Sequence, residues 1–201
     1  MMESDSLNEL DIINRTRGEV MTRKDVTGEN LFLAWGYPTV VVLILEFFAL
    51  QLWHEDWCAW LWLGIPLIGA PLMIYFLVED YNRTHHRTHD QNYILMMWIF
   101  IGFASCLGGL AMGFAGVFQQ FFFAYMGLLC GMGCFLTGVI LHFLPKTICG
   151  ITASVLSFIT LFFQGDLWHW QLLFTAFVVT IALIIPGHYF KRYVKLYYES
   201  V

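Results

Sequence analysis

Charge is scarce in this sequence: Asp, Glu, Lys and Arg make up 12% of its 201 residues, against 59% hydrophobic. A soluble domain carries about a quarter charged residues. At half that share no water-compatible shell closes around the chain, so lipid must cover much of its surface. Basic residues are also too few for a nucleic-acid interface, ten Lys and Arg against fifteen acids. The five cysteines, Cys58, Cys106, Cys130, Cys134 and Cys149, all lie within or beside apolar segments. Their odd number and the lack of extracellular loops to staple exclude a disulfide framework, and no CxxC or Cys/His zinc spacing occurs. No nucleophile elbow, phosphate loop, HExxH or pair of intramembrane carboxylates is present, so nothing supports an enzyme and no cofactor is implied.

Long apolar runs dominate instead. Six stretches, at about 31–53, 57–78, 93–116, 120–143, 147–164 and 168–190, approach the roughly 20 residues that cross about 30 Å of hydrocarbon. Short polar breaks separate them: His54-Glu55-Asp56, the run from Glu79 to Asn92, Gly116 to Gln119, Leu144-Pro145-Lys146 and Gln164-Gly165-Asp166. The chain therefore reads as one all-α polytopic bundle over 31–190. It is preceded by a polar segment, 1–30, and followed by a basic tail, 191–201. Ser6 and Glu9 fit a capping box, and Leu7, Leu10, Ile13, Arg17 and Val20 follow a loose helical period, predicting a short amphipathic helix before the first span. That segment lacks the early apolar run of a signal peptide, so span one is expected to stay as an anchor.

Orientation follows from the basic residues. Arg15, Arg17, Arg23 and Lys24 precede span one, Arg83 and Arg87 fall between spans two and three, Lys146 between four and five, and Lys191, Arg192 and Lys195 after span six. The other three loops hold none. The positive-inside rule places both termini in the cytoplasm. Aromatic belts agree, with Trp53, Trp57, Trp60, Trp62, Trp168 and Trp170 at the opposite interface and Tyr75, Tyr81, Tyr93, Tyr189, Tyr193 and Tyr197 at the basic one.

Small residues predict where helices meet. Span three carries Gly102, Ser105, Gly109, Gly113 and Gly116 at steps of three and four; span four carries Ala124, Gly127, Gly131, Cys134 and Gly138. Such stripes let backbones approach, so spans three and four are expected to form a tight hairpin, the alternative being that one stripe faces another subunit.

Glu46 is the one carboxylate in mid-span, and an ionised acid near the bilayer centre costs about 2.5–3.5 kcal/mol on the insertion scale. Its stripe, Trp35, Thr39, Val42, Glu46, Ala49 and Trp53, reads as a face turned into the bundle, and depth counting sets Thr175 at its level. It is either a proton, cation or substrate site or a neutral acid hydrogen-bonded between helices. The loop with His85, His86, His89 and Asp90 is the most metal-like stretch, since His85/His89 and His86/Asp90 would share helix faces. A solvated juxtamembrane loop explains it as well. Cys106 and Cys130, each twelve residues from the turn at Phe118, lie at equal depth and are a conceivable redox pair, though equally ordinary buried residues. Pro66 and Pro71 make span two the best candidate for a broken helix.

Four stretches together carry a resemblance: Phe32-Leu33-Ala34-Trp35-Gly36-Tyr37, Gly64-Ile65-Pro66-Leu67-Ile68-Gly69, Phe135 to Pro145, and Ile184-Ile185-Pro186-Gly187-His188-Tyr189. In this order they resemble a family of small, uncharacterised six-helix bacterial membrane proteins. The resemblance implies the fold and a bacterial inner membrane, and no activity or site residues. Three functional expectations stand. The first is a non-enzymatic bundle in a regulatory or scaffolding role, binding a cytoplasmic protein, or its own copy, through its cytoplasmic segments. The second is a small transporter or channel using Glu46. The third is a membrane enzyme or metal site built on the His85–His89 loop.

Overall fold

The protein is described by a computed structural model covering residues 30, 32–52, 56–83, 89–163 and 165–199. Six helices are long and apolar enough to cross a membrane: Phe32–Leu52, Trp60–Glu79, Asn92–Phe114, Phe121–Ile140, Leu144–Phe162 and Trp170–Tyr193. Each agrees with a sequence span to within a few residues, and no strand occurs among the described residues. The predicted amphipathic helix within 1–29 lies outside the described residues.

The first helix, α1 (Phe32–Leu52), runs unbroken through Pro38. A 3₁₀ stretch, Asp56–Leu63, leads into α2 (Gly64–Arg83), which continues past Pro71. Span two is thus broken at the 3₁₀-to-α junction and not at the second proline. Next come α3 (His89–Phe114), α4 (Phe118–Ile140) and α5 (Leu144–Ser157), the last prolonged by a 3₁₀ turn, Phe158–Phe162. Finally α6 (Trp170–Val179), a π-helical turn (Thr180–Ile184) and α7 (Ile185–Glu199) form one continuous rod. The π turn directly precedes Pro186, whose ring removes the N–H that would close an α-helical bond, and wider bonding upstream absorbs the mismatch.

The short turns are closed by their own backbones. At the end of α3 the Val117 N–H donates to the Met112 carbonyl at 3.0 Å and Gly116 N–H to Gly113 at 3.2 Å, with Gly116 at φ 70°. At the end of α4 the Phe143 N–H donates to Gly138 at 2.8 Å and His142 N–H to Val139 at 3.1 Å, with His142 at φ 51°. Both are Schellman endings, which reverse the chain without leaving terminal carbonyls bare.

Buried residues come mainly from α1, α4 and the α6–α7 rod. Leu43, Phe47, Phe122, Phe123, Leu172 and Ala176 form one core cluster; Phe32, Ala153, Val178, Val179, Ala182 and Leu183 form a second. Helices α2 and α3 stand at the edge and expose Leu67, Ile68, Ile99, Phe100 and Phe103, surfaces suited to lipid.

The small-residue stripes meet a different partner from the one expected. A Cβ added at Gly127 would lie 2.7 Å from Ser157 Cβ, one at Gly131 2.9 Å from the Gly150 carbonyl oxygen, and one at Gly138 2.6 Å from Thr147 Oγ1. These three glycines of α4 therefore face α5. Gly102 and Gly113 of α3 have nothing within 4 Å, and Gly109 is only half-buried. Instead α3 meets α4 through bulkier groups: Gly108 lies under the Tyr125 ring, whose hydroxyl donates to the Ala104 carbonyl at 2.8 Å, and Gly133 faces Trp98 and Ile101. The physical reason is the complementary small face of α5: Thr147, Gly150, Ser154 and Ser157 meet the glycines of α4, so α4 and α5 lie backbone to backbone.

Candidate functional site

Glu46 sits on the inward stripe of α1, with Val42 and Ala49 buried and Trp35 and Thr39 half-buried beside it. Neighbouring helices fix its surroundings. Toward α2, Gly69 packs under the Trp35 ring, whose indole N–H points to Met73 Sδ at 3.3 Å, and Gly64 abuts Val42. Continuing that antiparallel register brings the 3₁₀ stretch before α2 alongside Glu46. There Trp62 hydrogen-bonds the Glu46 carboxyl, while its ring packs on Phe122 at 5.7 Å and Phe123 at 6.0 Å between centroids.

The other wall is the α6–α7 rod. Gly36 lies against Leu183 and Ile184, so that a Cβ there would be 3.1 Å from either side chain. Farther along, Phe47 packs on Trp170 at 5.3 Å and on His169 at 5.9 Å. These contacts bracket an antiparallel pair and place Glu46 level with the first turn of α6. Leu43 and Phe47, flanking Glu46, share a core cluster with Leu172 and Ala176. Interpolated between those contacts, Glu46 stands level with Gln171, while Thr175, the neighbour expected from the depth count, falls about one turn farther in, near Leu43.

On α1 and α6, three polar atoms are buried without a hydrogen-bond partner: Glu46 Oε2, Gln171 Oε1 and Thr175 Oγ1. Their residues are 7%, 1% and 4% exposed. Each such atom ordinarily costs about 1–3 kcal/mol. Thr175 is the telling case. Thr39, Ser105, Thr137, Ser154 and Thr180 all donate to the carbonyl four residues back, at 2.7–2.9 Å. Thr175 had the same outlet on its own helix and does not use it. The Gln171 amide is oriented by its nitrogen, which donates to the Phe163 carbonyl where α5 ends. A backbone carbonyl accepts only, so Nε2 must occupy that position, and Oε1 is the atom left without a partner. Sequence reasoning missed Gln171 and Trp62. The available signal was the i, i+4 pair of Gln171 and Thr175 on an otherwise apolar helix.

The opposite end of the bundle, where the basic segments lie, holds a second polar group. Lys146 was expected in a loop, but it falls in the first turn of α5 and is 1% exposed. Pro145, at the start of α5, begins the helix at once and turns Lys146 inward. Its Nζ stands 3.7 Å from the centroid of the Phe32 ring, which itself packs edge-on to Trp98 at 5.0 Å. The Trp98 indole donates to Thr137 Oγ1 at 3.1 Å. Nearby on the surface the Tyr37 hydroxyl is hydrogen-bonded to His188 Nε2.

His85 and His86 lie outside the described residues, as do the side chains of His89 and Asp90, so the metal-like loop has no geometry here. Among the described residues Cys106 and Cys130 are free thiols, the first exposed and the second half-buried. No known protein family, no curated protein and no solved structure matches the chain.

Proposed function

We propose that the chain is a multi-pass plasma-membrane protein that moves a small solute or ion through a polar site at Glu46. The single observation carrying this reading is the set of three buried, unpartnered polar atoms on α1 and α6. A purely structural acid would be expected to have its acceptors satisfied by neighbouring helices, because an idle polar group in hydrocarbon is destabilising. One feature of the surroundings suits movement at this depth: the change from 3₁₀ to α-helix at Leu63–Gly64 beside Glu46, an irregularity of a kind that recurs at functional hinges. Both termini are cytoplasmic in this reading, supported by the confinement of every Lys and Arg to alternate segments.

The test is electrical. Proteoliposomes on a solid-supported membrane receive concentration jumps of protons, sodium, potassium, and a panel of amino acids and amines. At least one jump should evoke a current that Glu46→Gln abolishes while the variant still inserts and melts as the parent does. Silence across the panel, or equal currents from the variant, overturns the reading.

A further inference from the structure

The surroundings of Glu46 identify what its carboxyl can hold. Trp62 donates its indole N–H to the carboxyl from the 3₁₀ stretch, and Oε2 is the oxygen left without a partner. The rest of the neighbourhood is apolar. Val42 and Ala49 lie along the same stripe of α1, and Leu43, Phe47, Phe122 and Phe123 belong to the core cluster beside it. The polar groups of α6 complete no shell around it: the Gln171 amide nitrogen bonds the Phe163 carbonyl, and Thr175 lies about a turn farther in. A metal cation gathers about six oxygen ligands, and a polar solute needs several matched donors and acceptors. One carboxyl and one indole supply neither. A proton needs a single oxygen, and it cancels the one negative charge that an apolar cluster holds only at a cost. Its uptake forms one O–H bond at the carboxyl and alters no other bond in the protein.

Trp62 links that step to the fold. An N–H donated to a carboxylate is roughly twice as strong as one donated to a neutral acid, so this bond tightens when the proton leaves and slackens when it returns. The indole stands one residue before the Leu63–Gly64 junction, where the 3₁₀ stretch gives way to α2. Resting on the reading of Glu46 as a working site, we infer that the ion moved there is the proton, taken up and released by the Glu46 carboxyl alone. Trp62 is its positioning residue and passes the change to the start of α2. The other titratable residues of the segments packed at this end are Asp56 and Cys58 in the 3₁₀ stretch and Asp166 and His169 before α6. The His169 ring lies against Phe47 at 5.9 Å and beside Trp168 at 6.4 Å and Trp170 at 5.9 Å, so its own titration also alters tryptophan emission.

The full-length protein in detergent is taken from about pH 4 to about pH 9, a range that spans exposed and buried carboxyls. Labelling of Glu46 by a hydrophobic carbodiimide, which needs the acid form, should fall about tenfold per pH unit once the carboxyl has ionised, the slope of one group titrating alone. Tryptophan emission should change with the same midpoint. That change should survive His169→Gln and vanish in Glu46→Gln and in Trp62→Phe. In proteoliposomes a pH jump should evoke a current that is lost in Glu46→Gln and at least about threefold smaller in Trp62→Phe. A labelling rate that is flat across the range overturns the inference. So does an emission change that Glu46→Gln retains in full, or suppression of the labelling by sodium or potassium at fixed pH. An unchanged current in Trp62→Phe removes the indole from the mechanism. Currents that need Glu46 and follow a solute other than the proton leave the transport reading standing and remove the proton. Labelling and emission that titrate through Glu46, with no current in any jump, do the reverse.

Discussion

Gly150→Ala is the sharpest test of how the bundle is held together. The added methyl would sit 2.6 Å from Phe135 Cα and 2.8 Å from the Gly131 carbonyl oxygen. Both are backbone atoms, so no rotamer change relieves the clash and α4 must move away from α5. Overpacking of this kind costs about 1–3 kcal/mol, and the upper end applies because a whole helix contact opens. For a chain of this length that corresponds to a fall in melting temperature of roughly 5–10 °C. Gly113→Ala supplies the comparison on α3, where the new Cβ meets nothing within 4 Å. Alanine is the better helix former by about 0.5–1 kcal/mol, so this variant should melt at or slightly above the parent. Thermal melts in one detergent, followed by a fluorescent thiol dye or by size-exclusion survival, measure both. A Gly150→Ala protein as stable as Gly113→Ala would refute the backbone-to-backbone contact.

Thr175→Val removes a hydroxyl that has no partner, so it should melt no lower than the parent, whereas Gln171→Leu strips the Phe163 carbonyl of its donor and should lose about 1–3 kcal/mol. Phe32→Leu deletes the ring beneath Lys146 and its edge contact with Trp98, a loss of about 2–3 kcal/mol seen as a lower melting temperature. Reporter fusions after Arg87 and Lys195 should read cytoplasmic and those at Val117 and Asp166 external; one reversal in the central loops would break the assigned orientation.

Spans and turns were legible because they rest on runs and local chemistry. Apolar length marked each crossing, and Gly116 and the Leu144-Pro145 pair marked the reversals. The inward face of α1 was equally legible, since Trp35, Val42, Glu46 and Ala49 repeat at helical spacing around a charge that cannot face lipid. Partnership between helices was not. Gly127, Gly131 and Gly138 announce a close approach, but spacing alone cannot say whether the neighbour before or after them in the chain accepts it. Lys146 was misplaced for a related reason: a basic residue after a proline reads as loop, while the three-residue turn puts it in the first turn of a helix, on its buried face. Gln171 escaped notice because it stands close to a span end, where a polar residue usually meets the interface. Only the fold shows that it is buried and bonded to the Phe163 carbonyl.

Whether Glu46 is a working site or a sealed structural acid is decided most directly by its reaction with dicyclohexylcarbodiimide, which modifies protonated carboxyls inside membranes. The adduct on Glu46 would be followed by mass spectrometry of the purified protein, with and without each solute of the transport panel at matched ionic strength. The account predicts that Glu46 is labelled and that the solute whose jump evokes a current changes the labelling rate in a saturable way. No adduct at Glu46, or a rate that no solute changes, would contradict it.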